Sequence, residues 1–397
     1  MLLLLVLFST LQSYYFYDLG IAPMPLFGGG IFSIYLFCYM AKSKKIPEVK
    51  KRNAFLVLTI FITVLFSSIM GISKSVISFN LKTSMGFFLG ISLLSLILMR
   101  AFPKKTLLKV VRITLLLHCS MWLVQCFGYY FFNFYIDPLM PVTGEIQRYI
   151  HPSIAPFIRP AGFFNEPSTF SLYIVAFATL LLRHNLPRTD KLILITALVT
   201  VIGSFSSLGL ILGAFLLIAI CHFMGFSSVK TFLCALGIGV ITALISEPFF
   251  KAIVQIFGRL TNPLKDGSGI IRLTYGMKEF VEHGTTMDYL LGWGLGNHDL
   301  INNAGMTIAY LVTFFGVLGA TVLIGSISLL IRKAHLLIFL ALLMLNAPIA
   351  QHPVFWVWLG LACLLGTQRK TPPTNAYLPT KHLPECSGTV AIAYSQR

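Results

Sequence analysis

The sequence has little charge, and acidic residues are especially scarce. Only 11% of its 397 residues are charged, against roughly 25% in an average soluble protein. The chain has 13 Asp and Glu residues against 30 Lys and Arg residues, so its formal net charge is +17. This lack of charge excludes an ordinary soluble domain. A hydrophobic content of 56% and a mean hydropathy of +0.83 indicate an integral membrane protein.

Cysteine is also sparse, and its placement excludes a disulfide framework. The seven cysteines fall in apolar segments or in the C-terminal tail, without the spacing of a metal site. We interpret them as small apolar core residues and predict neither a metal nor a cofactor. A nucleic-acid motif is absent too, so we interpret the positive charge as an orientation signal and an attraction to anionic lipid headgroups.

Long apolar runs are what the sequence does contain, and they lack the alternation of a membrane barrel. A spanning helix takes about 20 apolar residues. We predict an all-α polytopic membrane protein whose single membrane domain covers residues 1–366, followed by a disordered cytoplasmic tail at 367–397. We expect about 11 to 12 transmembrane helices, near residues 1–17, 20–41, 53–72, 83–99, 113–133, 167–182, 192–206, 208–224, 231–246, 304–331, 334–350 and 352–366.

One pair of these helices has an alternative interpretation. The segments at 192–206 and 208–224 are short for two full crossings joined by a tight turn at Ser206 and Ser207. A re-entrant excursion is the alternative at this place. The first apolar run is followed by Asp18 rather than a small-residue cleavage site, so we favour a retained helix over a removed signal peptide.

The positions of the basic residues predict the orientation. Short cytoplasmic loops carry an excess of Lys and Arg. One set of alternating loops, together with the tail, holds 21 of the 30 Lys and Arg residues. We therefore assign that set to the cytoplasm, with both termini inside and a location in the bacterial cytoplasmic membrane.

Most of the acids fall on the opposite side, in two larger outer loops at residues 134–166 and 247–303. The predicted spans hold essentially no carboxylate or ammonium group, whereas ion-coupled transporters and proton pumps usually need such groups along a path. The distribution favours binding or chemistry at the outer membrane boundary, where a lipid-linked anionic substrate would meet these loops. The alternative is that long loops are polar simply because they are loops.

The stretch "RPAGFFNEPSTF" contains a helix start. Pro167 suits the first helical position, where a missing N–H costs nothing, and Asn165 or Glu166 suits the cap. An acid is also favoured at the positive end of the helix dipole. These local preferences predict a helix that begins at Pro167.

Capping does not account for the cations upstream of that helix. Arg159 follows Arg148 and His151 in a loop whose prolines and Gly162 stiffen it toward one conformation. A guanidinium held at the outer face is suited to bidentate contact with a diphosphate. We therefore predict an anion-binding role for this loop.

The second outer loop repeats the pattern of arginines. Arg259 is followed by Arg272, which begins a predicted amphipathic helix. One face of that helix would carry Leu273, Met277, Phe280 and Val281. The glycine-rich "GWGLG" that follows has no preceding strand, so we discount a nucleotide site. The remaining interpretation is a tight loop that lets the backbone pass close to a membrane helix.

Three pieces in order resemble the Wzy-type oligosaccharide repeat-unit polymerases, which share a superfamily with the O-antigen ligases. The first is "RPAGFFNEPSTFS", and the second is the small-residue turn in "GSFSSLGLILGAFLLI". The third joins "IIRLTYGMKEF", the Gly-x-Gly turn and "FFGVLGATVL". Together they cover residues 150–325. Each piece is loose, and the resemblance rests on their order, spacing and shared outer side.

The resemblance implies a glycosyltransferase that works on undecaprenyl-diphosphate-linked oligosaccharides outside the cytoplasmic membrane. The growing chain would move from its lipid carrier to the next lipid-linked repeat unit, building an O-antigen, capsule or exopolysaccharide. Such an enzyme uses neither a nucleotide sugar nor a metal. The family also implies a partner that regulates chain length.

The resemblance also assigns residues to this reaction. Arg159 and Arg272 match the essential outer-loop arginines of the family and would hold the diphosphate. Glu166 is the preferred general base, with His298 as the alternative, and a simple capping or ion-pairing role for Glu166 stays open. The residues expected to line the substrate are Arg148, His151, Arg259, Gly294 and Gly296.

Two alternatives remain open. Ligases carry a His-Asn pair before the Gly of the last outer-to-inner span, and here that position reads Gly305-Met306, which favours a polymerase. His298 could still occupy the same space by another loop path. A polysaccharide-precursor transporter or flippase would need repeated halves and a polar midplane, and the sequence has no internal repeat.

Overall fold

In the part of the chain that the computed structural model describes, all regular secondary structure is helix. The described residues are 1–11, 23–43, 49–72, 77–100, 102–143, 146–147, 158–224, 276–295, 307–344, 350 and 352–367. Among them there is no β-strand. Their helices are α1 (Leu2–Thr10), α2 (Pro23–Ser43), α3 (Lys51–Ile72), α4 (Ile77–Leu98), α5 (Lys104–Phe132), α6 (Met140–Thr143), α7 (Pro167–Leu181), α8 (Arg188–Ile202), α9 (Ser207–Met224), α10 (Gly276–His283), α11 (Thr286–Leu291), α12 (Thr307–Leu330), α13 (Ala334–Met344) and α14 (Pro353–Thr367).

Five of these helices are long and apolar enough to cross a membrane, namely α2, α3, α5, α9 and α12. Apolar stretches in α4, α7, α13 and α14 are shorter. These helices confirm the prediction of an all-helical membrane protein. The span predicted at 231–246, most of the loop at 247–303 and the tail from 368 onward lie outside the described residues.

The centre of the bundle is formed by α7 and α14. Every residue of α7 from Phe170 to Leu181 is buried, and Trp356 and Trp358 of α14 are fully buried. Helices that are apolar on all sides belong in an interior. The indole Nε1 of Trp358 donates a hydrogen bond to the carbonyl oxygen of Ala176 at 2.9 Å, which ties the two helices together. The segment that enters α7 is therefore attached to a rigid scaffold.

Helices α2 and α3 lie at the periphery and present large apolar side chains outward. Phe37 is 70% exposed and Phe55 is 67% exposed. Water would disfavour such a surface, whereas hydrocarbon solvates it. The exposed phenylalanines are thus what a lipid-facing surface requires.

Helix α5 begins earlier than the sequence predicted. The expected span was 113–133, but the helix starts at Lys104 and runs for 29 residues. The prediction placed Lys104, Lys105, Lys109 and Arg112 in a loop because of their charge. They lie instead on the first turns of the helix, since long basic side chains can extend past the apolar boundary while the backbone stays helical.

Helix α12 contains a break that hydropathy did not predict. Gly316 has φ 66° and ψ 177°, which is not a helical conformation. The carbonyl groups of the turn before such a break lose their usual helical partners. They become available to another segment of the chain.

Cations from several helix ends meet at one end of the bundle, which we call the basic end. Arg112 of α5 and Arg183, just after α7, both bind the buried carboxylate of Asp190. At the same end, Arg52 Nη2 donates to the Leu329 carbonyl oxygen at 2.8 Å. The structure therefore gathers cations that the sequence analysis assigned to a single side of the membrane.

Candidate functional site

The segment that enters α7 is buried along much of its length. We call residues 158–166 the arginine loop because it carries Arg159. Ile158, Ala161 and Phe164 are buried, while Arg159 and Glu166 are half-buried. The Tyr130 hydroxyl oxygen accepts a hydrogen bond from the Ile158 N–H at 3.3 Å. The loop is therefore packed against α5 rather than spread over the surface.

Glu166 stands at the N-cap of α7 and Pro167 is the first helical residue, which confirms the predicted helix start. Glu166 has an extended backbone, with φ −127° and ψ 142°, and its side chain makes no capping hydrogen bond. Instead, Ser168 Oγ donates to Glu166 Oε2 at 3.3 Å. The position places the carboxylate at the positive end of the α7 dipole.

Two buried glutamines hold the arginine loop, and we call Gln125 and Gln147 the amide clasp. The Gly162 N–H donates to Gln125 Oε1 at 2.8 Å, and Gln125 Nε2 donates back to the Gly162 carbonyl at 3.1 Å. Gln147 Nε2 donates to the carbonyl oxygens of Gly162 at 2.9 Å and Phe164 at 2.6 Å. The two side chains are joined by a hydrogen bond of 2.8 Å.

Gln147 is itself fixed by a second set of contacts. Its backbone N–H donates to Asp137 Oδ2 at 2.7 Å, and Asp137 Oδ1 accepts from the Leu139 N–H at 2.8 Å. The Tyr135 hydroxyl donates to Gln147 Oε1 at 2.9 Å. Buried polar groups are costly unless they are satisfied. The clasp therefore specifies one conformation of the loop.

Gly162 has a left-handed backbone conformation in the loop, which favours glycine. Its φ is +58°, and a Cβ there would lie 3.1 Å from the Phe170 ring and 3.3 Å from the His118 carbonyl oxygen. Glycine adopts this left-handed conformation without the steric cost that a side chain brings. In this conformation both the N–H and the carbonyl of Gly162 reach the amide clasp.

An imidazole from α5 packs on the same loop. The ring of His118 stacks on Phe164, with centroids 5.0 Å apart, and meets Phe163 edge to face at 5.5 Å. His118 Nε2 lies 2.9 Å from Thr10 Oγ1, and the Thr10 hydroxyl donates to the Leu7 carbonyl. Because that hydroxyl has one hydrogen, it accepts from Nε2–H, which fixes the tautomer of His118.

A cluster of three serines joins the start of α7 to the turn between α8 and α9. Ser171 Oγ lies 2.7 Å from Ser204 Oγ, and Ser206 Oγ accepts from the Gly209 N–H at 2.8 Å. All three serines are buried. A Cβ on Gly209 would come within 2.8 Å of each hydroxyl oxygen, so its absence makes the cluster possible. The predicted small-residue turn thus packs directly beneath the arginine loop's helix.

The glycine turn, residues 292–295, lies against the break in α12. Trp293 N donates to the Thr313 carbonyl at 2.8 Å, and Gly294 N donates to the Phe314 carbonyl at 3.1 Å. Leu295 N donates to the Ser67 carbonyl of α3 at 2.9 Å. These acceptors include the carbonyls that the break at Gly316 releases. The turn therefore replaces missing helical hydrogen bonds.

Close backbone packing accounts for Gly294. Its φ is +82°, and a Cβ there would lie 2.2 Å from the Gly71 backbone nitrogen. The interpretation of this segment as a tight loop beside a membrane helix is confirmed. A substrate-binding role for Gly294 stays a prediction.

Helix α10 corrects one detail of the predicted amphipathic face. Phe280 is buried and meets Tyr289 and Trp293 edge to face, as expected of the apolar side. Val281, placed on the same face, is 57% exposed. Successive residues of a helix are separated by about 100°, so a neighbour of the buried position turns outward.

The structure describes three of the nine predicted site residues. Arg159 and Glu166 occur together on the arginine loop, and Gly294 lies in the glycine turn. The other six lie outside the described residues: Arg148, His151, Arg259, Arg272, Gly296 and His298. The joint action of Arg159 and Arg272 on a diphosphate therefore stays a prediction.

The residues that hold the arginine loop were not predicted from the sequence. Gln125 is a neutral amide within an apolar helix, so the positions of the ionisable groups gave no indication of its role. Gln147 and Asp137 looked like ordinary loop residues. The signal in the sequence was Gln125 itself: an amide inside a membrane span must find hydrogen-bond partners there, which indicates a polar contact with another segment.

Comparison with known proteins adds no relative. The chain matches no protein-family model, and no curated protein sequence matches it significantly. The inference about function therefore depends on the residues and their geometry.

Proposed function

We propose that this chain is a polymerase that joins undecaprenyl-diphosphate-linked oligosaccharide repeat units into a surface polysaccharide. The observation that carries the proposal is the arginine loop, where one clasped segment presents Arg159 and Glu166 together at the entry to a buried helix. Glycosyl transfer from a diphosphate carrier requires a cation to neutralise the diphosphate and a base to take a proton, and a guanidinium and a carboxylate can supply these two roles. The order of the motifs, similar to that in Wzy-type polymerases, adds further support.

The proposed topology has about 11 to 12 spans, with both termini in the cytoplasm. The basic end would face the cytoplasm, as the excess of Lys and Arg favours. The arginine loop then lies toward the outer face of the bacterial cytoplasmic membrane, because α7 joins it to Arg183 at the basic end.

The length of α7 favours a site below the outer membrane surface. The helix has 15 residues and so extends about 22 Å, less than the roughly 30 Å of a hydrocarbon core. Gln125, which contacts Gly162, lies about 10 Å before the end of α5 by the same rise per residue. A carrier diphosphate that enters from the outer leaflet would meet Arg159 at this depth.

The proposed reaction is displacement at an anomeric carbon. A hydroxyl oxygen of the acceptor repeat unit attacks that carbon, and the bond from the carbon to the carrier phosphate oxygen breaks. Arg159, with Arg272 from the second loop, neutralises the departing lipid diphosphate through paired N–H donors. Glu166 takes the proton of the attacking hydroxyl, with His298 as the alternative base.

The substrate supplies its own leaving group in this scheme. The carrier diphosphate makes a nucleotide sugar unnecessary, and the arginines take the role that a metal ion has in other transferases. The proposed partners are the lipid-linked oligosaccharide, the surrounding membrane lipid and a chain-length regulator.

Deletion of the gene in its native host tests the proposal. Surface glycans and lipid-linked intermediates would be separated by size, with the wild-type gene restored on a plasmid as the control. We expect the polymer ladder to collapse to single repeat units on their usual acceptor. Full-length polymer left on the carrier would indicate a ligase, and single units retained inside would indicate a transporter. Either result would overturn the polymerase proposal.

A further inference from the structure

Three histidines gather around one phenylalanine at the basic end. His184 follows α7, His222 lies near the end of α9, and His335 lies at the start of α13. Their ring centroids lie 5.1 Å, 5.2 Å and 5.0 Å from that of Phe223, and His184 and His222 are 6.2 Å apart. Residues distant in sequence thus form one imidazole group, which with Lys333 we call the histidine–lysine cluster.

Lys333 adds a cation to this group. It is half-buried between α12 and α13, and burial lowers its pKa, as do the positive charges of Lys104 and Arg183. Within the described part of the chain, no carboxylate pairs with Lys333. The nearby Asp190 carboxylate is already occupied by Arg112, which binds both of its oxygens, and by Arg183. The cluster therefore carries positive charge that the described residues leave uncompensated.

The geometry of α13 increases this preference for an anion. The backbone N–H groups of Leu336 and Leu337 donate to the Lys333 carbonyl, so Lys333 stands at the helix start. The positive end of the α13 dipole therefore lies at the cluster. The ring of His335 is hydrogen-bonded to the Thr179 backbone, which holds it in the cluster beside Lys333. His184 and His222 are exposed, so the cluster is open to a ligand on one side.

We infer that the histidine–lysine cluster binds a phosphate group, with an anionic phospholipid headgroup as its source. Imidazole N–H, ammonium and helix N–H groups are all donors to phosphate oxygens. The cluster lies where a candidate membrane span, α9, ends, which is the level of the headgroups. This inference is independent of the proposed polymerase, because the cluster lies at the opposite end of α7 from Arg159.

The test is lipid binding by the purified full-length protein in detergent, measured by native mass spectrometry. The probes are phosphatidylglycerol and phosphatidylcholine with the same acyl chains, and inorganic phosphate as a competitor. We expect the protein to retain phosphatidylglycerol in preference to phosphatidylcholine. Lys333→Ala and the triple change His184→Ala, His222→Ala, His335→Ala should each weaken its binding about tenfold, because charge-assisted hydrogen bonds are lost.

Two controls keep the test decisive. Lys333→Arg retains the charge and should keep most of the binding, and Lys51→Ala removes an exposed basic residue of α3 outside the cluster and should leave binding unchanged. Size-exclusion profiles identify variants that fail to fold, and for those Lys333→Gln, or the triple change His184→Gln, His222→Gln, His335→Gln, replaces the Ala variant with the same expected loss. If inorganic phosphate binds through the cluster and phosphatidylglycerol does not, the source is a free phosphate compound and the lipid assignment is wrong. Binding that is insensitive to all cluster changes would overturn the site.

Discussion

The arginine loop and the glycine turn both connect membrane helices, and both carry motifs that suggested function, yet they are held by different contacts. In the arginine loop, the side-chain amides of Gln125 and Gln147 bind the backbone around Gly162. In the glycine turn, backbone N–H groups bind the backbone carbonyls of α12 and α3 directly. A point mutation can remove one side-chain contact of the arginine loop at a time. In the glycine turn the backbones lie so close together that there is no room for an added side chain.

The arginine loop and the glycine turn should therefore differ in their tolerance to mutation. A loop held by several side chains keeps its backbone path when one contact is lost. Some substitutions in the arginine loop should therefore change activity without unfolding the protein, and others should mainly change its stability. In a turn held by backbone packing, any added side chain displaces the backbone, so substitutions in the glycine turn should all lower stability.

Gly294→Ala should be the most damaging change. The new Cβ would meet the Gly71 backbone nitrogen at 2.2 Å in a residue with φ +82°, and neither backbone can yield cheaply. We expect a loss of about 3 kcal/mol or more in the free energy of unfolding. Thermal denaturation of the purified protein in detergent measures it.

Gly325→Ala is the matched control for that change. Gly325 lies within α12 and has nothing within 4 Å of its absent Cβ, so alanine should be neutral or slightly stabilising. An unchanged melting temperature for Gly294→Ala would show that the turn is not held by backbone packing.

Arg159→Lys should depress polymerisation while leaving the protein folded. Lysine keeps the positive charge but loses the paired N–H donors that match a diphosphate. We expect polymer synthesis to fall on the order of 10²-fold, with a normal melting temperature and membrane level. The assay is the size distribution of lipid-linked glycan made by membranes that carry each variant.

Arg188→Lys supplies the control for this experiment. Arg188 is exposed at the first position of α8, away from the arginine loop, so its change should leave synthesis unaltered. Full activity of Arg159→Lys would contradict the assignment of Arg159 to the diphosphate.

Gln147→Ala should lower both stability and synthesis. It removes the Gln147 donor to the Phe164 carbonyl and one of the two amide donors to the Gly162 carbonyl, which Gln125 still binds. We expect a loss of about 2 to 3 kcal/mol in the free energy of unfolding. Tyr135→Phe removes a single hydrogen bond to the same amide and should cost about 1 kcal/mol. Equal effects of the two changes would mean that the clasp does not position the loop.

Ser204→Ala should have the smallest effect. Ser171 loses its contact at 2.7 Å but still donates to the Pro167 carbonyl, so no buried donor is left without an acceptor. We expect a loss of about 1 kcal/mol, read from the same thermal denaturation. A loss as large as that of Gln147→Ala would place the serine cluster among the contacts that fix the start of α7.

The helix start after the arginine loop could be predicted from the sequence because it depends on residues adjacent in the chain. The cap at Glu166 and the start at Pro167 follow from the preferences of a helix terminus, which three or four residues decide. The start of α5 was placed too late, because hydropathy registers the apolar run and not the helix that continues into charged residues. The break at Gly316 was not predicted because the apolar run continues through it without a change in hydropathy.

Composition and short-range pattern were sufficient to predict the membrane class, the helical secondary structure and the grouping of cations. Tertiary structure alone decided that Gln125 and Gln147 close on Gly162, that the turn at Gly294 completes the broken hydrogen bonds of α12, and that three distant histidines surround Phe223. The physical reason is that hydrogen bonds and ring contacts between distant segments depend on how the helices pack. A pattern along the chain does not contain that packing.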